Sequence, residues 1–163
     1  MNLNRISLVG LMLGLAIAFG CAKPAPREQL LEQKDCLECD LSGQDLSQTN
    51  LSGARLNRSN LQDANLSSAN LSNSLLDSAN FKNANLAGAN LQQAGLDSAD
   101  FSNADLSGAN LKGAFLRNAN LSNANLKGTD LSDSDLTGAT LTGATVDQAN
   151  LKGAILPDGT IQE

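Results

Sequence analysis

The stretch ADLSGANLKGAFL, residues 104–116, has a leucine at every fifth position and an alanine two residues before each leucine. The same spacing continues in both directions, with a Leu, Phe or Val at every fifth residue from 41 to 156. A period of five fits neither an amphipathic helix nor a strand, and frequent Asn, Gly and Ser weaken a helix. The pattern therefore predicts a repeat fold of 24 five-residue units from 39 to 158.

The composition argues against most enzymes. The 163 residues are 41% hydrophobic but only 2% aromatic, and they include no His, Trp or Tyr. The commonest general acid or base and metal ligand is thus missing from the whole chain. The net charge of −6 and the lack of a basic stripe also predict that nucleic acid is not a partner.

Three stretches carry a family resemblance: ANLSSANLSNS at 64–74, ANLAGANLQQAGL at 84–96, and ADLSGANLKGAFL. They match the A(D/N)LxX motif, and the chain resembles the pentapeptide-repeat family over about three quarters of its length. The resemblance implies an all-β fold, a right-handed quadrilateral β-helix. In that fold each unit forms one side, four units form a coil, and the central Leu and the small residue two before it point inward. The 24 units predict about six coils.

The residue before each central Leu tests this coil of twenty residues. On three sides this residue is always Asn, Asp or Thr. Every strong departure falls on the remaining side, here called side four, which reads Arg55, Leu75, Gly95, Phe115, Asp135 and Ile155. Such clustering is expected only if coils of four units are real.

Side four has two interpretations, which the sequence leaves open. In the first, its role is structural, because this side tolerates relaxed turn geometry or is covered by a terminal segment. In the second, it binds a protein partner. Aromatic and Arg side chains are the usual anchors of interfaces. The candidate interaction face comprises Arg55, Arg58, Leu75, Phe115, Arg117 and Ile155.

The other repeated side chains favour structural roles. Stacked Asn side chains on sides one to three are expected to bond one another along the column. Phe81 and Phe101 are twenty residues apart in central positions, so they should lie one above the other in the core.

Residues 1–20 are predicted to be an export signal, because Arg5 precedes an uncharged apolar run at 6–19. The sequence AFGC at 18–21 resembles the bacterial lipobox and implies a lipid on Cys21 and a membrane contact through it. The predicted address is therefore the periplasmic side of the cell envelope. An ordinary cleaved signal with a soluble periplasmic product, a retained anchor, and the thylakoid lumen of a cyanobacterium are the alternatives.

Residues 21–38 are predicted to form a tether and an N-terminal helix that caps the β-helix. Pro157-Asp158-Gly159 is a turn signal that stops regular structure, and residues 159–163 are predicted to be a C-terminal tail. Solenoids of the resembled family often dimerise through an open end, so a homodimer is a further expectation.

Cys36 and Cys39 form a CxxC pair, which suits a disulfide, simple packing or redox chemistry. With no His, and with Cys21 acylated, too few ligands remain for zinc. A thioredoxin-like site would need an α/β domain for which the chain has no room. We predict a disulfide or packing role, no metal site, no cofactor and no catalytic residue.

These observations predict a non-enzymatic structural or protein-binding solenoid. The alternative is a DNA mimic that inhibits a DNA-binding enzyme such as gyrase, as the family resemblance suggests for acidic members. Residues 40–156 contain eleven Asp and seven Lys or Arg, a net charge of only −4 spread over four sides. The weak, scattered charge and the export signal disfavour this alternative.

Overall fold

The computed structural model describes residues 25–163, so the predicted leader and the predicted lipidation site Cys21 lie outside the described residues. The backbone forms a four-sided column in which parallel bridges join residues twenty apart, from Asp35 with Arg55 to Asp135 with Ile155. On side one the bridged residues form six levels: Asp40, Asn60, Asn80, Asp100, Asn120 and Thr140. The predicted coil of four units is confirmed. Each side contributes single bridge residues rather than long strands.

A tight turn forms each corner of the column. At one corner, the Ala54 amide donates to the Leu51 carbonyl at 3.0 Å, and Gly53 has a φ of 69°. A turn of this kind needs a positive φ in its third residue, which Gly and Asn adopt most readily. Asn83, with a φ of 57°, takes the same place at another corner. The Gly residues of the repeat, apart from Gly95, occupy corners for this reason.

The core is a continuous stack of the central leucines and the alanines two residues before them, nearly all of which are buried. Phe81 and Phe101 are fully buried, and their rings stack in parallel with centroids 4.7 Å apart. The predicted stacking is confirmed. A column this narrow has room for one large and one small side chain per unit.

The helix α1, Pro26–Gln33, covers the first end of the column and buries Leu30 against it. It begins with Pro26, whose fixed φ suits a first helical turn. Its C-cap is Lys34, which has a φ of 54° and donates its amide to the Leu30 carbonyl at 2.9 Å. The predicted short N-terminal helix is confirmed.

The repeat begins one unit earlier than its predicted start at residue 39. Asp35 bridges to Arg55 on side four, and the buried Cys36 takes the central position usually held by Leu. Periodicity missed this unit because a Cys replaces the Leu. A disulfide joins Cys36 to Cys39, with their Cα atoms 5.4 Å apart, and it links this first unit to the next.

The tail folds back along the last coil. Ile161 forms an antiparallel bridge with Ile155, and the Gly153 amide donates to the Gln162 carbonyl at 2.7 Å. The tail therefore protects the exposed edge of side four at this end. Among residues 25–163, no helix is long and apolar enough to cross a membrane.

Candidate protein-binding face

Two large apolar side chains project from the middle of side four. Among residues 25–163, six large hydrophobic residues are exposed: Leu31, Leu37, Leu75, Phe115, Val146 and Ile161. Four of them belong to α1, the first unit, the last coil or the tail. Leu75 and Phe115, exposed by 46% and 49%, instead lie on the same flat side between the ends.

Gly95 separates these two side chains. It bridges to Leu75 on one level and to Phe115 on the next, so the apolar residues lie two levels, or about 10 Å, apart. A Cβ atom at Gly95 would lie 3.2 Å from Oδ1 of Asp77. The Asp77 carboxylate therefore lies against the face of Gly95, in the level between Leu75 and Phe115.

On sides one to three the Asn and Asp side chains make two kinds of hydrogen bond. Oδ1 of Asn80 accepts from the Lys82 amide at 3.0 Å, which caps the turn of its own unit. Nδ2 of Asn80 donates to Oδ1 of Asn60 at 3.0 Å, and Asn60 donates in the same way to Asp40. The predicted structural ladders are confirmed.

Two turns of side four, those after Gly95 and Phe115, are capped from the neighbouring coil instead. Gly95 and Phe115 have no side-chain oxygen, so Oδ1 of Asp77 accepts from the Asp97 amide at 3.1 Å. Oδ1 of Asp97 likewise accepts from the Arg117 amide at 3.2 Å. On the other sides, the residue before a central Leu caps the turn that follows that Leu. Here the cap comes from the preceding coil, from the residue after its central Leu. Positions 95 and 115 can therefore hold residues other than Asn or Asp while both amides remain bonded.

At the last coil, the turn of side four needs no side-chain cap. Ile155 also lacks a capping oxygen, but the residue two positions later is Pro157, which has no amide hydrogen to satisfy. Ile155 is half-buried and is bridged to Ile161. The interpretation that a terminal segment covers side four thus applies to Ile155, whereas among residues 25–163 nothing covers Leu75 or Phe115, which are exposed.

The three arginines of the predicted face are paired within side four. Arg55 contacts Asp35 at 2.9 Å and Arg58 contacts Glu38 at 3.4 Å, both near the capped end. Arg117 lies beside Phe115 and forms an ion pair with Asp97 through its guanidinium.

Electrostatic shifts keep the groups around Phe115 charged. The hydrogen bonds and charge of Asp97 raise the pKa of Arg117 above its usual value. On the level beyond Phe115, a hydrogen bond from Thr137 lowers the pKa of Asp135. Both shifts favour the charged form of the group.

The structure therefore divides the six predicted face residues into three groups. Leu75, Phe115 and Arg117 lie together in the middle of side four. Arg55 and Arg58 lie towards α1, with Arg55 one level from Leu75, and Ile155 lies under the tail. Sequence reasoning missed the roles of Asp77 and Asp97. Aligning the residue after each central Leu would have revealed them, since both stand one coil before a position that lacks a capping side chain.

The acidic side chains do not form a stripe like the phosphates of DNA. Aspartates stand on all four sides of the column, and several act as acceptors in the ladders. Asp40 accepts from Asn60, and Asp45 accepts from Asn65. Within the described part of the chain, no three His, Cys, Asp or Glu side chains form a group that could hold a metal ion.

The profile of the family described as Pentapeptide repeats matches this chain with eight copies, over residues 35–73, 64–103, 74–113, 99–138 and 119–158. The chain belongs to the pentapeptide-repeat family. The family fold is a right-handed quadrilateral β-helix, and the twenty-residue coils described above are those of this fold. Pentapeptide-repeat proteins are generally non-enzymatic.

Solved pentapeptide-repeat proteins resemble this chain. Rfr23 from the cyanobacterium Cyanothece 51142 is 30% identical, with 79% of this chain and 95% of that chain covered and a TM-score of 0.35. A protein of the Arabidopsis thaliana thylakoid lumen is 32% identical, with 72% and 71% covered and a TM-score of 0.26. HetL, involved in heterocyst differentiation regulation in Nostoc sp. strain PCC 7120, is 23% identical, with 83% and 97% covered and a TM-score of 0.37. No curated protein matches this chain.

Proposed function

We propose that this chain is a non-enzymatic, protein-binding column of the bacterial cell envelope, and that its partner binds the middle of side four. The observation that carries the proposal is the exposure of Leu75 and Phe115 on one flat side, between the two ends of the column. Exposed apolar side chains with an aromatic residue and a neighbouring Arg, here Arg117, are typical of interface centres.

The capping pattern supports a binding role over relaxed geometry. If side four merely tolerated irregular turns, the Asp97 and Arg117 amides would have lost their caps when positions 95 and 115 lost Asn or Asp. Both amides are instead capped by a carboxylate from the preceding coil. The turn after Phe115 is preserved, so this apolar side chain needs an explanation other than loosened structure.

Phe115→Asn tests the binding role, because it restores the residue type common at this position. Envelope proteins would be crosslinked in cells, co-isolated with the chain and quantified by mass spectrometry. We expect a partner of the wild type to fall about tenfold with Phe115→Asn, since aromatic anchors dominate interface energies. Asn110→Ser, on side three of the same coil, is the matched control and should retain the partner. The binding role is wrong if no co-isolated protein depends on Phe115.

The proposed address rests on the leader and on the lipobox resemblance of residues 18–21. Intact mass and membrane fractionation would compare the wild type with Cys21→Ala in a bacterium that makes lipoproteins. We expect a mature wild-type chain that begins at Cys21, carries acyl mass and sediments with membranes, and we expect Cys21→Ala to lose all three properties. Unmodified full-length protein in the cytosol would contradict this address and would favour the DNA-mimic alternative.

We also propose that two copies pair through the last coil. Leu141, Ala144 and Leu151 are only partly buried there, and Val146 is 46% exposed, whereas the equivalent leucines one coil earlier are buried. Sedimentation equilibrium should detect a dimer that Val146→Lys converts to a monomer. A wild-type chain that is monomeric at micromolar concentration would contradict the pairing.

A further inference from the structure

Side four contains a notch one level high, defined by Leu75, Gly95, Phe115 and Asp77. Leu75 and Phe115 form its two ends, because Gly95 between them has no side chain. Adjacent levels lie about 4.8 Å apart, which is the distance at which neighbouring side chains of a β-ladder stack. Above Gly95, and beyond the Asp77 carboxylate that contacts its Cβ position, the gap between Leu75 and Phe115 is therefore suited to one unbranched aliphatic chain that enters from a partner.

One wall of the notch is a fixed carboxylate. Oδ1 of Asp77 accepts from the Asp97 amide at 3.1 Å, and Oδ2 accepts from Nδ2 of Asn57 at 3.1 Å. These two hydrogen bonds hold the carboxylate beside Gly95, where a Cβ atom would approach Oδ1 to 3.2 Å. None of the ion pairs among residues 25–163 includes Asp77.

The charges around the notch favour a cation. Asp77, Asp97 and Asp135 surround Arg117 on side four, which gives three carboxylates to one guanidinium and a net charge of −2. Arg117 already bonds to Asp97 through Nε and Nη2. Asp97 therefore pairs with a cation, and the half-buried Asp77, which has the same place one coil earlier, has no such partner among residues 25–163.

We propose, on the basis of the proposed binding role of side four, that the notch receives a lysine side chain of the partner protein. The aliphatic stem lies between Leu75 and Phe115, and the ammonium group reaches Asp77. Lysine has this combination of an unbranched apolar stem and a compact cationic end. The ring of Phe115 adds a cation–π contact at the edge of the notch.

Two short peptides test the inference on the purified full-length chain at low ionic strength. The first is acetyl-Ser-Gly-Lys-Gly-Ser-amide, and the second has norleucine in place of lysine. NMR would follow the methyl signals of Leu75 and the ring signals of Phe115 during titration. We expect the lysine peptide to shift both sets of signals saturably and the norleucine peptide to bind about tenfold more weakly, since it lacks the ion pair and the cation–π contact.

Three variants locate the effect. Asp77→Asn keeps an oxygen that can cap the Asp97 amide but removes the charge, and it should weaken lysine binding about fivefold. Gly95→Leu fills the notch and should abolish the shifts; Gly95 is not among the residues with positive φ, and the Asp77 carboxylate, 3.2 Å from the added Cβ atom, would move by a few tenths of an ångström. Asp147→Asn is the matched control, since Asp147 has the same place in its unit on side two, and it should bind like the wild type.

The inference is wrong if lysine and norleucine peptides bind equally, if Asp77→Asn has no effect, or if neither Leu75 nor Phe115 responds. Equal binding would mean that the notch takes an apolar side chain without regard to charge. If the lysine and norleucine peptides bind equally but a co-isolated partner depends on Phe115, only this inference is overturned. Lysine binding without any partner that depends on Phe115 would instead overturn the proposed function.

Discussion

Phe101→Ala is expected to lower the free energy of unfolding by about 3–5 kcal/mol. Phe101 is fully buried and stacks on Phe81 with ring centroids 4.7 Å apart, so its removal leaves a cavity above a second aromatic ring. The neighbouring coils cannot close this cavity, because the spacing of levels is fixed by backbone hydrogen bonds on all four sides. Urea unfolding followed by circular dichroism would measure the loss.

Phe115→Ala provides the matched control for that prediction. It makes the same chemical change on a side chain that is 49% exposed, and it should cost less than about 1 kcal/mol. If the two variants lose equal stability, then the assignment of one phenylalanine to the core and the other to the surface is wrong.

Asp97→Ala is expected to lower the free energy of unfolding by about 2 kcal/mol, because hydrogen bonds to charged groups are worth more than neutral ones. The carboxylate caps the Arg117 amide at 3.2 Å and also bonds to the Arg117 guanidinium. Its loss leaves the turn after Phe115 without a cap and the guanidinium without its partner. The same urea experiment measures the effect.

Asp147→Ala is the control for Asp97→Ala. Asp147 is exposed and has the same place in its unit, one residue after the central Val146, but it lies on side two in the last coil. We expect a change within about 0.5 kcal/mol. Equal losses in the two variants would show that capping from the neighbouring coil does not stabilise side four.

The fold could be predicted from the sequence because the same residue pattern recurs in two dozen five-residue units. Each unit needs a large apolar residue, a small one and a corner residue that accepts positive φ, as Gly53 and Asn83 do. The unit centred on Cys36 was not predicted, because a buried cysteine replaces the large apolar residue at its centre. Its inward position is set by the bridge of Asp35 to Arg55, a contact that periodicity alone does not reveal.

The candidate site was predictable only in part. Alignment in steps of twenty placed Leu75, Gly95 and Phe115 on one side, and the structure agrees. The sequence could not show that Ile155 lies under the tail, since this depends on where the chain turns back after Pro157. It also could not show the Asp77 carboxylate against Gly95, since that contact joins two coils through side-chain geometry.

The structure suggests how a rigid repeat can acquire a binding surface without losing stability. On most sides the residue before the central Leu must cap its own turn, as Asn80 does. Where an Asp one coil earlier provides the cap, that position becomes free to vary, as at Gly95 and Phe115. Side four thus keeps the regular backbone of the column and varies only in the side chains that it presents.

The most direct test of the binding face is photocrosslinking in cells from one position on each side of a single coil. A photoreactive amino acid would replace Asp100, Asp105, Asn110 or Phe115, which occupy equivalent places on sides one to four. We predict a discrete protein adduct from position 115 and none from the other three positions. The same adduct from all four positions, or no adduct from position 115, would contradict the assignment of side four as the binding face.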